Sequence, residues 1–142
     1  MASPLTEIGQ AGPFRIKPEQ AGLAAQHAQA CTAELRLISP GKSTSTAADW
    51  LQSLGQQLAF PAHFGNNFDA LYDCLCDPDV LKQPRLVLII DNLDALDEEE
   101  ADTLIAVLQA AADEWREQNR ALWSLFAVTG LDLDPLPLKP LA

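Results

Sequence analysis

Residues 85–90, RLVLII, restrict this chain more than any other stretch. Five aliphatic side chains follow Arg85 without a polar interruption, so a strand made from them must be covered on both faces. Such a strand belongs to a parallel sheet with helices packed against it. The rest of the chain supplies matching parts. Residues 14–16 and 33–38 read as earlier strands, and 121–129, ALWSLFAVT, as the last. One helix is expected from Pro18, whose missing N–H costs nothing in a first turn, to about Ala30. A second starts at a Ser45 or Thr46 cap, carries Trp50, Leu51, Leu54 and Leu58 as its buried stripe, and stops at Pro61. Another opens at Asp94 or Asp97 and runs to about Gln118, with Leu104, Ile105, Leu108 and Ala112 inward. Strands separated by helices predict an α/β fold, a layered structure with a small parallel sheet of three or four strands. The domain is expected over residues 13–130, after a flexible leader at 1–12 and before an extended proline-rich tail at 131–142.

Charge narrows the function. The formal net charge is −11, and its placement matters more than its size. Residues 66–117 carry fourteen acids against Lys82, Arg85 and Arg116, while acids and bases balance on either side of that segment. Phosphate binding needs a basic footprint, so nucleic acid is disfavoured as a direct ligand and a basic protein is favoured. No apolar run approaches the roughly 18–20 residues of a membrane span. The first residues lack the basic and apolar regions of a secretory signal, and the three cysteines have no metal or disulfide spacing. Reduced thiols and a cytoplasmic location are the expectation.

The acidic segment begins with 61–77, PAHFGNNFDALYDCLCD. A Gly65-Asn66-Asn67 turn, with Asn66 or Asn67 as cap, leads into a short helix closed by Pro78. Phe68, Leu71, Tyr72 and Leu75 form its apolar stripe. Asp69, Asp73 and Asp77 fall at i, i+4 and i+8 on another side, where like charges repel by a few tenths of a kcal/mol per pair. No base lies within the helix to relieve them. Tyr72, at the border of stripe and acid, has the amphipathic character of an interface anchor. The acidic run 97–100 needs no such explanation, because acids suit the first turn of a helix.

Other chemistries fit less well. His27 with Cys31, or His63 with Cys76, would have to converge with further ligands to hold zinc, and no recognised spacing supports a metal site or any cofactor. A Cys–His nucleophile from Cys74 or Cys76 with His63 is opposed by nearby carboxylates, which raise a thiol's pKa. Asp69 and Asp73 could act as acid and base, but no phosphate loop or nucleophile elbow accompanies them. No catalytic residue is assigned, and the protein is expected not to be an enzyme.

The run HFGNNFDALYDCLCD resembles the loop-and-helix signature of the barstar family, inhibitors of barnase-type ribonucleases. Gly65, Asn67, Asp69, Ala70, Leu71, Asp73, Cys74 and Leu75 match that pattern, and the order of strands and helices over residues 34–128 is also similar. The resemblance implies a monomer with a barstar-like layered fold, acting as an antitoxin or immunity-type protein on a basic ribonuclease. Asp69 and Asp73 would enter the nuclease active site in place of RNA phosphate. His63, Phe64, Gly65, Asn67, Tyr72 and Cys76 would complete the contact. The sequence departs from the pattern at His63 and Tyr72, where the family has tyrosine and tryptophan. It departs again at Asn66 and Cys76, which replace an acid and a threonine. A further partner-binding glutamate of the family falls near Ala110. The alternative is a regulatory module of the same fold whose partner is not a nuclease.

Overall fold

The computed structural model describes residues 3–40, 46–61 and 64–140, apart from the side chain of Ile8. Four strands, β1 (Pro13–Arg15), β2 (Glu34–Ile38), β3 (Arg85–Ile90) and β4 (Ala121–Phe126), form one sheet in the order β1-β4-β3-β2. Every pairing is parallel. The helices are α1 (Ala21–Ala30), α2 (Ala47–Gln57), α3 (Phe68–Cys76) and α4 (Glu98–Glu117). The α/β class and layered sheet expected from the sequence are therefore present, with four strands.

The chain crosses from one sheet edge, β1, to the other, β2, through α1, and then returns through β3 to β4. Parallel crossovers share one hand, so connections running in opposite directions lie on opposite sheet faces. The packing follows this rule. On the first face α2, α3 and α4 cover Ile38, Leu86, Leu88, Ile90, Leu122 and Phe126. On the second, Ala24 and Ala28 of α1 cover Val87, Ile89, Trp123 and Leu125. β3 thus sends alternate side chains into two cores, as its unbroken apolar run requires.

The ends of the chain belong to the second core. Residues 3–12, where the sequence suggests a leader, form two short 3-10 turns, Pro4–Thr6 and Ile8–Gln10, and bury Leu5 and Ala11. Residues 131–140 run along the outer edge of β1. There Arg15 N–H donates to the Asp134 carbonyl at 3.0 Å, and Leu136 N–H donates to the Arg15 carbonyl at 3.0 Å. Leu136 and Leu138 turn inward into the second core. His27, only 2% exposed, joins both ends. Its Nδ1 lies 2.6 Å from Ser3 Oγ and its Nε2 lies 2.7 Å from the Lys139 carbonyl. One imidazole therefore ties α1 to a residue 112 positions further on and to the opposite end of the chain.

Candidate functional site

The acidic face is built on α3, and local chemistry sets where that helix begins and ends. Asn67 is the cap: its Oδ1 accepts the Ala70 N–H at 2.8 Å, satisfying one of the orphan donors of the first turn. Asn66, just before it, takes a left-handed backbone (φ 53°), a conformation asparagine tolerates better than most residues. Gly65 stands where a Cβ would lie 3.1 Å from Asn67 Nδ2, so the glycine keeps space for the capping side chain. At the other end Asp77 is already extended (φ −83°, ψ 112°). Pro78 disfavours helical backbone in the residue before it. The third aspartate therefore does not extend the helical face: its carboxylate instead accepts the Asp79 N–H at 2.8 Å in the turn that follows.

Asp69 and Asp73 remain, both exposed. At about 100° per residue, Tyr72, Cys76, Asp69 and Asp73 occupy one sector of roughly 100° on α3. Leu71 and Leu75 are fully buried on the opposite side. The two carboxylates differ in one respect. Asp69 sits in the first turn, where the helix dipole favours it, whereas Asp73 lacks that relief. Among the described residues no basic side chain forms an ion pair with either; the two ion pairs are Arg36–Glu34 and Arg116–Asp113.

Cys76 stands one helical turn beyond Tyr72, in the same sector of α3. The neighbouring Cys76 thiol holds the phenol above its ordinary pKa. Burial raises the Cys76 thiol, and the Glu114 and Asp73 carboxylates push it the same way. Burial, with Asp73 and Asp77 beside it, also raises Cys74. Neither thiol is arranged as a nucleophile. Glu114 reaches this cluster from α4, a neighbour that spacing within one helix does not reveal.

The preceding loop is held from below. Phe64 packs edge-on against Phe60, ring centroids 5.1 Å apart, and lies on the backbone of α2 at Gly55. A cleft lined by Gln52, Gln56, Phe60, Phe64 and Asn66 runs beside it. His63 lies outside the described residues. A Cβ at Gly55 would come within 2.7 Å of Phe64 Cδ2 and 2.9 Å of its Cε2. Gly55→Ala should therefore cost about 1–3 kcal/mol from overpacking, less about 1 kcal/mol from better helix propensity. Urea unfolding checks this, with the Asn67 amide resonance reporting the displaced loop. Unchanged stability together with an unshifted resonance would mean that the ring does not rest on Gly55.

Helix α3 is fixed to the body through α4. Trp115 is completely buried and donates its indole N–H to the Leu75 carbonyl, in the last turn of α3, at 2.7 Å. Arg120 stacks 3.8 Å above the same indole. Its guanidinium also donates to the carbonyls of Leu81 and Gln83 in the connection from α3 to β3. No group of three or more His, Cys, Asp or Glu side chains among the described residues is placed to hold a metal ion.

The chain is thus a small parallel α/β domain with a capped acidic helix, braced from behind by a tryptophan and carrying its loop on an adjoining helix. A family model described as Barstar (barnase inhibitor) matches residues 37–127. The match covers well over half of the chain, and the protein belongs to the barstar family. No curated protein matches the sequence. The family match does not extend to β1, α1 or the C-terminal tail, which supply much of the second core.

Proposed function

We propose that this protein inhibits a small basic ribonuclease by inserting Asp69 and Asp73 into its active site. The reading rests on one observation: in a barstar-family chain, a capped helix presents two exposed carboxylates in the same sector as Tyr72 and Cys76. A ribonuclease active site is cationic because it must bind phosphate. Two carboxylates one helical turn apart offer it the same charge without a bond to cleave. Tyr72 adds apolar area and a hydroxyl at the edge of the contact. Phe64, Gly65 and Asn67 form the loop rim, and His63 and Cys76 are proposed as further contacts to the nuclease. The inhibitor is not itself an enzyme, and it meets the nuclease as a single chain. Three free thiols suit the reducing environment of the cytoplasm.

The test is RNA cleavage by small basic ribonucleases, including any encoded beside this protein, with and without the inhibitor. Cleavage should stop at one equivalent. Raising salt should slow association far more than it speeds dissociation, because steering between an acidic and a basic protein acts over distances that salt screens. Failure to inhibit any such nuclease, with a stable complex formed on another protein, would replace this reading by that of a regulatory module.

A further inference from the structure

The sheet has two edges, and they are treated differently. The β1 edge is closed by the chain itself, through the bridge between Arg15 and Pro135. The β2 edge has no such cover among the described residues. Ile38 gives its carbonyl to Asp91 N–H on the inner side, so alternate residues Leu35 and Leu37 turn their peptide groups to the open edge. Leu37 is 61% exposed, the one large hydrophobic side chain to be so among the described residues.

The occupant that fits this edge is a second copy of the chain. We propose that β2 pairs antiparallel with β2 of another copy about a two-fold axis at Leu35, joining two sheets into one of eight strands. The charge order of the strand is self-complementary in that register. Glu34 faces Arg36 of the copy, and Arg36 faces its Glu34. Both pairs occupy non-hydrogen-bonded positions, where facing side chains approach most closely. Leu35 then exchanges backbone hydrogen bonds with its own counterpart, using peptide groups already directed outward. Leu37 covers Ala33 of the copy. Moving the axis to Arg36 would set Arg36 against Arg36, and that repulsion selects the first register.

In the single chain the same groups are occupied internally. Arg36 Nη2 lies 3.1 Å from Glu34, and Nη1 folds over the Leu35 carbonyl at 3.3 Å. Dimerisation exchanges these contacts for equivalent ones across the axis. The gain comes from the backbone ladder and the covered Leu37, so the dimer is weak and concentration-dependent. It departs from the monomer expected from the sequence only at high concentration.

Sedimentation equilibrium of the full chain at physiological salt tests the proposal, with thermal unfolding to show that each variant is folded. At that ionic strength the Debye length is about 8 Å, so adjacent cross-strand pairs persist while distant like charges are screened. The parent should approach dimer mass as concentration rises into the high micromolar range. Leu37→Lys should weaken association by about tenfold or more. Glu34→Arg should prevent it, because the introduced guanidinium would face Arg36 of the copy, and Glu34→Arg with Arg36→Glu should restore it. A parent that stays monomeric would overturn the proposal, as would a dimer indifferent to Leu37→Lys and Glu34→Arg. A double swap no more dimeric than the single variant would overturn it equally.

Discussion

Replacing Asp69 and Asp73 together with alanine should abolish ribonuclease inhibition. Each carboxylate is expected to lose its water and meet a cation of the nuclease. Removing one partner of such a buried pair costs on the order of 3–5 kcal/mol, because the remaining charge is left desolvated and alone. That is a loss of roughly a hundred-fold or more in Kd for each position. The two need not add, since both carboxylates meet the same cationic pocket. In the free protein the signs differ. Asp73→Ala relieves the i, i+4 repulsion and improves helix propensity, so it should stabilise the uncomplexed chain by a few tenths of a kcal/mol or somewhat more. Asp69→Ala removes a charge that the helix N-terminus favours, which offsets much of that gain. Titrating nuclease activity and measuring unfolding on the same variants separates the two effects. Inhibition within a few-fold of the parent after both replacements would remove α3 from the proposed contact.

Trp115→Ala should be the most damaging single change to the fold. The ring is wholly buried, and truncating such a side chain costs about 3–5 kcal/mol. The substitution also releases the Leu75 carbonyl and removes the surface on which Arg120 stacks. Arg120 in turn holds the carbonyls of Leu81 and Gln83, so the connection leaving α3 loses its anchor as well. A domain of this size has about 5–15 kcal/mol of stability in total, and the loss would take a third or more of it in many cases. The unfolding midpoint should fall by roughly 10–15 °C. Trp115→Phe separates packing from hydrogen bonding: it keeps most of the buried area and should cost only about 1–3 kcal/mol. Urea unfolding of both variants checks the order. Equal losses for the two would mean that the Trp115–Leu75 bond, not the buried ring, carries the effect.

Much of the architecture was legible because it rested on local signals. The unbroken run at 85–90 matches β3 residue for residue, and its demand for cover on both faces is met by two separate cores. Asn67 and Thr46 cap the helices they precede, and Asp97 begins α4 with a reciprocal bond to Glu100. What could not be read depended on distant contacts. Leu136 and Leu138 lie between prolines, without a helical period or a strand long enough to show alternation, so nothing local announces that they are buried. Leu5 and Ala11 are placed by α1 and the sheet rather than by their neighbours in sequence.

On the acidic face, Asp69 and Asp73 could be found from spacing and resemblance. The ends of the helix were partly hidden. Asp77 continued an apparent i, i+4 series, although the proline after it already argued that the helix had stopped. Gly55 gave no signal at all. Its role exists only because Phe64, nine residues later, lies on it. Glu114 was equally silent, since only the packing of α4 on α3 brings it near Tyr72 and Cys76.

The imidazole of His27 has a consequence for anything joined to this domain. Because Ser3 and Lys139 meet at the same ring, polypeptide leading into the first and out of the second shares one exit point, on the α1 side of the sheet. The carboxylates of α3 stand on the other side. A fluorescent protein, a purification handle or a tether to a surface attached before Ser3 or after Lys139 therefore leaves the acidic helix facing open solvent. A few residues bridging Ser3 and Lys139 would close the chain into a loop without disturbing that helix.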